Sequence, residues 1–191
     1  MRSRVLLVVC GLSALVGAAL MTYKGVAILI SGDQPDHAFE LAPFPFGVAA
    51  LTLAYALRLQ VNRPRWLLLT LGWLAASAGT VAAVAHFLGR EDDFGDLGYL
   101  VNVVSTVVLF FVMGGDVRRK KLLGSWSFTP LLAAWTLVLA IPVGAVLEAI
   151  DERFLEIALL GVAAAWAMLG IAALTTSRSD TSTVTEAVVA D

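Results

Sequence analysis

Six long apolar stretches divide this chain, and the clusters of positive charge fall in alternate gaps between them. A helix needs roughly 20 mostly apolar residues to cross the hydrocarbon layer of a bilayer. The stretches are Val5–Ile30, Phe44–Leu59, Trp66–Leu88, Leu97–Met113, Phe128–Ile150 and Phe154–Thr175. They are long and rich in Ala and Leu, whereas a membrane barrel would alternate polar and apolar residues in runs of about ten. Apolar residues make up 59% of the chain and charged residues 15%, and the mean hydropathy is +0.86. A soluble domain is about half apolar and a quarter charged. The sequence therefore predicts an all-α integral membrane bundle of six transmembrane helices over residues 1–175.

The charges set an expected orientation. Arg2 and Arg4 precede the first stretch, and Arg58, Arg63 and Arg65 lie between the second and third. Arg118, Arg119, Lys120 and Lys121 lie between the fourth and fifth, and Arg178 follows the sixth. Cytoplasmic loops carry the excess of Lys and Arg, so all four regions and both termini are expected in the cytoplasm, with the chain in the cytoplasmic membrane. The other connections are acidic: Asp33, Asp36 and Glu40; Glu91, Asp92, Asp93 and Asp96; Asp151, Glu152 and Glu156. Arg90 and Arg153 oppose them there. The net charge of −2 conceals this segregation.

Arg2 and Arg4 followed by an apolar run and Val16, Gly17 and Ala18 imitate a secretory signal. The run continues to Leu20, so the first stretch is expected to stay uncleaved. Cys10 imitates a lipoprotein acceptor, but Val9 is bulky where a small residue is needed, and no lipidation is expected. Residues 176–191, rich in Ser, Thr, Ala and Val, lack helical periodicity and large apolar residues, and are expected to form a disordered cytoplasmic tail.

Short connections make consecutive helices antiparallel neighbours, giving three hairpins, each closed by an acidic turn. Residues 84–94, around His86, resemble residues 146–154, around Glu148. Each has an ionisable residue, an acidic turn and then a Phe, with Trp73 and Trp135 at matching distances upstream. True repetition would place a site at a hairpin interface. Small residues mark packing stripes: Ser13 with Gly17 and Met21, Gly11 and Ala14 with Ala18, Ala75 with Gly79 and Ala83, Gly161 with Ala165, and Ala163 with Ala167. Spaced four apart, they let helix backbones approach closely. Pro142 is expected to kink the fifth helix.

Ionisable groups at membrane depth are costly and mark functional sites. Here they are Lys24, His86 and Glu148, with Asn102 as a neutral partner, all toward the acidic ends of their helices. Together they could form an outward-facing polar vestibule, with His86 and Glu148 as a proton relay, a pair of metal ligands or an acid–base pair. The plainer alternatives are an interfacial His, a Glu at headgroup depth, a Lys snorkelling toward water beside Tyr23, and an Asn bonding helix to helix. Glu91, Asp92, Asp93 and Asp96 offer oxygen ligands for weak binding of a hard cation. They lack the spacing of a calcium loop, and acids that solubilise the turn explain them as well.

No Walker loop, GxGxxG, HExxH or GxSxG is present. One cysteine leaves no CxxC pair, and two histidines, His37 and His86, make haem ligation an unpromising reading. Neither a metal nor a cofactor is expected. Arg118–Lys121 suits anionic lipid headgroups better than nucleic acid, so the expected partners are membrane lipids and a protein within the membrane. Three functions remain open. The first is a non-enzymatic accessory or lipid-interacting component. The second is a small transporter or channel using the vestibule. The third is an intramembrane lipid-modifying enzyme using His86 and Glu148.

Overall fold

A computed structural model describes residues 2–32, 41–89 and 94–189, and within these the side chains from 3 to 178. Six helices account for nearly all of it: α1 (Arg2–Ser31), α2 (Pro43–Leu57), α3 (Arg65–Phe87), α4 (Asp96–Arg119), α5 (Thr129–Glu148) and α6 (Leu155–Val189). Short 3-10 turns, Gly124–Trp126 and Glu152–Phe154, lead into α5 and α6. The described residues contain no strand, as the long Ala- and Leu-rich runs require. Each helix packs on its neighbours in sequence, and α1 packs along α6, so the helices form a closed ring, with α2 also touching α4.

Five of the six helices are long and apolar enough to cross a membrane. The exception is α2. Sequence marks an apolar stretch over Phe44–Leu59, but the helix has 15 residues, or about 22 Å at 1.5 Å per residue. Pro43 and Pro45 occupy its first turn, where a missing N–H costs nothing. At the other end the chain turns immediately after Arg58, with Gln60 N–H donating to the Leu57 carbonyl at 2.9 Å. Ten of its residues are buried. A short helix is tolerated here because α1, α3 and α4 sheathe it.

Close backbone approach closes the ring. A Cβ added to Gly11 of α1 would sit 2.8 Å from the Gly170 carbonyl of α6, and one added to Gly170 would sit 2.9 Å from the Gly11 carbonyl. Between α2 and α3, a Cβ on Gly47 would lie 2.6 Å from the Ala75 carbonyl. Where lipid tails are as apolar as the side chains, such contacts supply the dispersion that holds helices together. The Gly161 position, by contrast, faces open space, so that part of the expected stripe on α6 is not a packing contact.

At mid-depth the core is aromatic. Trp166 is 1% exposed. It stacks on Phe46 at 4.3 Å between ring centroids and lies 5.5 Å from Phe110, joining α6, α2 and α4. By comparison α5 is lightly covered; its buried residues are Thr129, Pro130, Ala133, Ala134 and Gly144. It runs unbroken through Pro142.

At the far end α6 continues to Val189, past Thr176, where sequence predicts an irregular tail. The hydroxyls of Thr175, Thr176 and Ser177 donate to carbonyls three or four residues back. They therefore bond to the helix they extend rather than compete with it.

Candidate functional site

One end of the bundle carries the acidic connections. There α1, α2, α3, α4 and α6 splay around a cavity of about 270 Å³. Its ionisable lining is Lys24 from α1, His86 from α3 and Asp96 from α4, with the Tyr99 phenol beside them. Met21, Ala42, Pro43, Ala82 and Leu159 supply the apolar wall. None of the lining residues comes from α5.

Helical spacing explains why these side chains converge. On α1, Ala14, Gly17, Met21 and Lys24 fall on one face, and on α3, Ala75, Gly79, Ala82 and His86 do the same. The small residues of each stripe turn it inward against neighbouring helices, and the ionisable residue at its end is carried inward with them. His86 is 7% exposed as a result. The α3 helix stops just beyond it at Gly89, whose φ of 62° is the left-handed conformation that commonly terminates a helix.

Asn102 lies one level deeper. Its Nδ2 donates to the Ala75 carbonyl of α3 at 2.8 Å and to the Pro43 carbonyl of α2 at 3.2 Å. It is 4% exposed and ties three helices together. A void of about 20 Å³ beside it is bounded by Met21, Tyr99, Phe46 and Trp166. Beneath that lies the aromatic stack.

Of the four residues singled out from sequence, Lys24 and His86 line the cavity, and Asn102 borders the void under it. Glu148 stands apart. It is exposed at the end of α5, a helix that packs on α4 and α6, whereas His86 lies on α3 between α2 and α4. The look-alike turns around His86 and Glu148 thus hold their ionisable residues in different surroundings. Among the acids considered for a cation, Asp96 is exposed and lines the cavity. Glu91, Asp92 and Asp93 lie outside the described residues.

A carboxylate that sequence places in a solvated turn, Glu156, is buried at 6% exposure in the first turn of α6. Its Oε2 accepts no hydrogen bond among the described residues. It lies against Gly25, 3.5 Å from where a Cβ there would sit, and within electrostatic reach of Lys24 and Tyr99. A signal for this exists in the sequence: Glu156, Leu159, Ala163, Trp166 and Gly170 share one helical face, and that face is the packed one. The cavity therefore combines two basic groups, Lys24 and His86, with one acidic group, Asp96, over an apolar floor, and Glu156 lies outside its lining within electrostatic reach of Lys24. Such a site can hold a ligand that presents charges of both signs. Compared with known protein families, curated proteins and solved structures, the chain matches none of them.

Proposed function

We propose that this chain is a six-span, multi-pass protein of the cytoplasmic membrane, with both termini in the cytoplasm. We propose further that it acts as a non-enzymatic binding component whose outward-facing cavity holds a small zwitterionic group, such as the headgroup of an amphiphile. The observation that carries the reading is the convergence of Lys24, His86 and Asp96 on one cavity. Small-molecule sites are concave and mostly apolar, with a few placed polar groups, and this cavity has that composition.

Phosphoethanolamine carries one ammonium and one phosphate and serves as the probe. At saturating concentration it is expected to raise the Tm of the detergent-solubilised protein by about 5 °C. Lys24→Gln and Ala82→Trp, each compared with its own baseline, should lose that shift. No shift in the parent protein, or an equal shift in both variants, would refute the site.

Transport is the second reading, favoured by the same cavity. It requires a polar path onward, and below the cavity stand the backbone-bound Asn102 amide and the stack of Phe46, Trp166 and Phe110. Flux of phosphoethanolamine into proteoliposomes would decide for transport over simple binding.

The orientation is tested separately. The single native cysteine, Cys10, is buried, so introduced cysteines report cleanly. Cysteines at positions 36, 93 and 152 are expected to react with an impermeant thiol reagent in intact cells, and one at position 120 is not. Labelling at 120 would reverse the assignment.

A further inference from the structure

The opposite end of the bundle carries seven cations at two connections: Arg58, Arg63 and Arg65 from the end of α2 to the start of α3, and Arg118, Arg119, Lys120 and Lys121 from the end of α4 toward α5. Asp116 is the single carboxylate within residues 58–65 and 114–128, and it is 4% exposed. It accepts the Asn62 backbone N–H at 2.8 Å and a hydrogen bond from Arg119. Lys120 Nζ reaches across to the Gln60 carbonyl at 2.5 Å and to Asn62 Oδ1 at 2.7 Å. Arg58 turns back on its own helix, donating to the Tyr55 carbonyl and lying over the Tyr55 ring. Three cations are thus engaged, and one of them, Lys120, bridges the two connections directly.

The other four are not. Arg63, Arg65, Arg118 and Lys121 are exposed, and their side chains form no ion pair or hydrogen bond among the described residues. They flank the clamp in sequence, Arg63 next to Asn62, and Arg118 and Lys121 around Lys120. Their backbone is held as well. Lys121 has φ 52°, a left-handed conformation costly for a residue with a side chain, which persists only where the surroundings fix it. Those surroundings are visible: Leu122 N–H donates to the Val117 carbonyl at 3.1 Å, and the buried Leu123 donates to Ser127 Oγ at 2.8 Å. Trp66 is 69% exposed beside Arg65, and Trp126 stacks on Phe128. Aromatic residues of this kind gather at the level of lipid headgroups.

We propose that the two clamped connections form a preformed cradle for the phosphate of an anionic phospholipid, bound by Arg63, Arg118 and Lys121 with Arg65 at its edge. Guanidinium groups recognise phosphate oxygens through paired N–H bonds, and connections whose backbones are already tied together by Asp116 and Lys120 lose less freedom on binding than two separate loops would. The cradle lies at the other end of the bundle from the cavity, so either assignment can fail alone.

The test is native mass spectrometry of the full chain released from mixed micelles of phosphatidylglycerol and phosphatidylcholine. The parent protein is expected to retain phosphatidylglycerol preferentially. The triple variant Arg63→Gln, Arg118→Gln and Lys121→Gln alters exposed residues alone and should lose roughly tenfold or more of that preference. Arg153→Gln, an equal loss of charge per site at the acidic end, should keep it. Asp116→Asn retains every cation but weakens the clamp, and should lower the preference too. An unchanged preference in the triple variant would overturn the site, and one in Asp116→Asn would reduce the cradle to diffuse charge. Displacement of the lipid by millimolar inorganic phosphate would mark a site for free anions and overturn the lipid assignment.

Discussion

Gly79→Leu is expected to prevent the bundle from forming a stable, monodisperse species in detergent. A Cβ at this position would stand 2.4 Å from the Pro43 carbonyl oxygen, 2.8 Å from its carbon and 2.9 Å from Asn102 Nδ2. The first two are backbone atoms of α2 and cannot swing aside as the end of a side chain can. Relief requires α3 to move away from α2, and that movement breaks the bonds from Asn102 to Pro43 and Ala75. Overpacking costs about 1–3 kcal/mol, and each polar group left buried without a partner adds about 1–3 kcal/mol. The sum is comparable with the whole stability of an ordinary domain. Gly161→Leu is the matched control, because its Cβ meets nothing within 4 Å. It should melt close to the parent protein. Equal melting of the two variants would mean that α2 and α3 do not pack through Gly79.

The contrast between those two glycines shows what is legible in the sequence and what is not. Both stand in stripes of small residues, and both stripes can be read directly. Which stripe meets another helix depends on the rotation of each helix about its axis, and in a chain apolar all round the hydrophobic pattern does not report that rotation. Charge is easier to place along a helix than around it. Lys24, His86, Asn102 and Glu148 lie toward one end of the bundle, and position along a helix follows directly from 1.5 Å per residue. That three of them belong to the cavity region and Glu148 does not is a matter of azimuth and neighbour order. Glu156 is deceptive for a related reason: its acidic neighbours Asp151 and Glu152 make it look like part of a turn. One residue after the helix begins, it already lies on the packed face with Leu159 and Trp166. The shortness of α2 is legible, since the apolar run Phe44–Leu59 is itself shorter than the roughly 20 residues a span needs. Asp116 leaves no signal at all, since its partner Asn62 lies 54 residues away.

Trp166→Ala is expected to produce the largest loss of stability of any truncation to alanine in the core. The indole is 1% exposed and touches two other rings, Phe46 on α2 and Phe110 on α4. In soluble cores such a truncation costs about 3–5 kcal/mol, part from transfer out of water and part from the cavity left behind. In a bilayer the transfer part is small, because lipid is as apolar as the core, so the expected loss lies near the bottom of that range, about 3 kcal/mol. The cavity part remains, since Phe46 and Phe110 would face a void, and nothing in a closed ring of helices restores the dispersion attraction of the indole. The control is Trp135→Ala on α5. That ring is 52% exposed and meets Phe111 edge-on at 5.1 Å between centroids, so lipid or detergent can fill the space it leaves, and its variant should lose about 1 kcal/mol or less. Thermal unfolding of both variants in one detergent reads the difference. If Trp135→Ala proves the more damaging, the stabilising core lies between α4 and α5 rather than at the junction of α2, α4 and α6. The floor beneath the cavity would then not be the rigid element that separates it from the basic end.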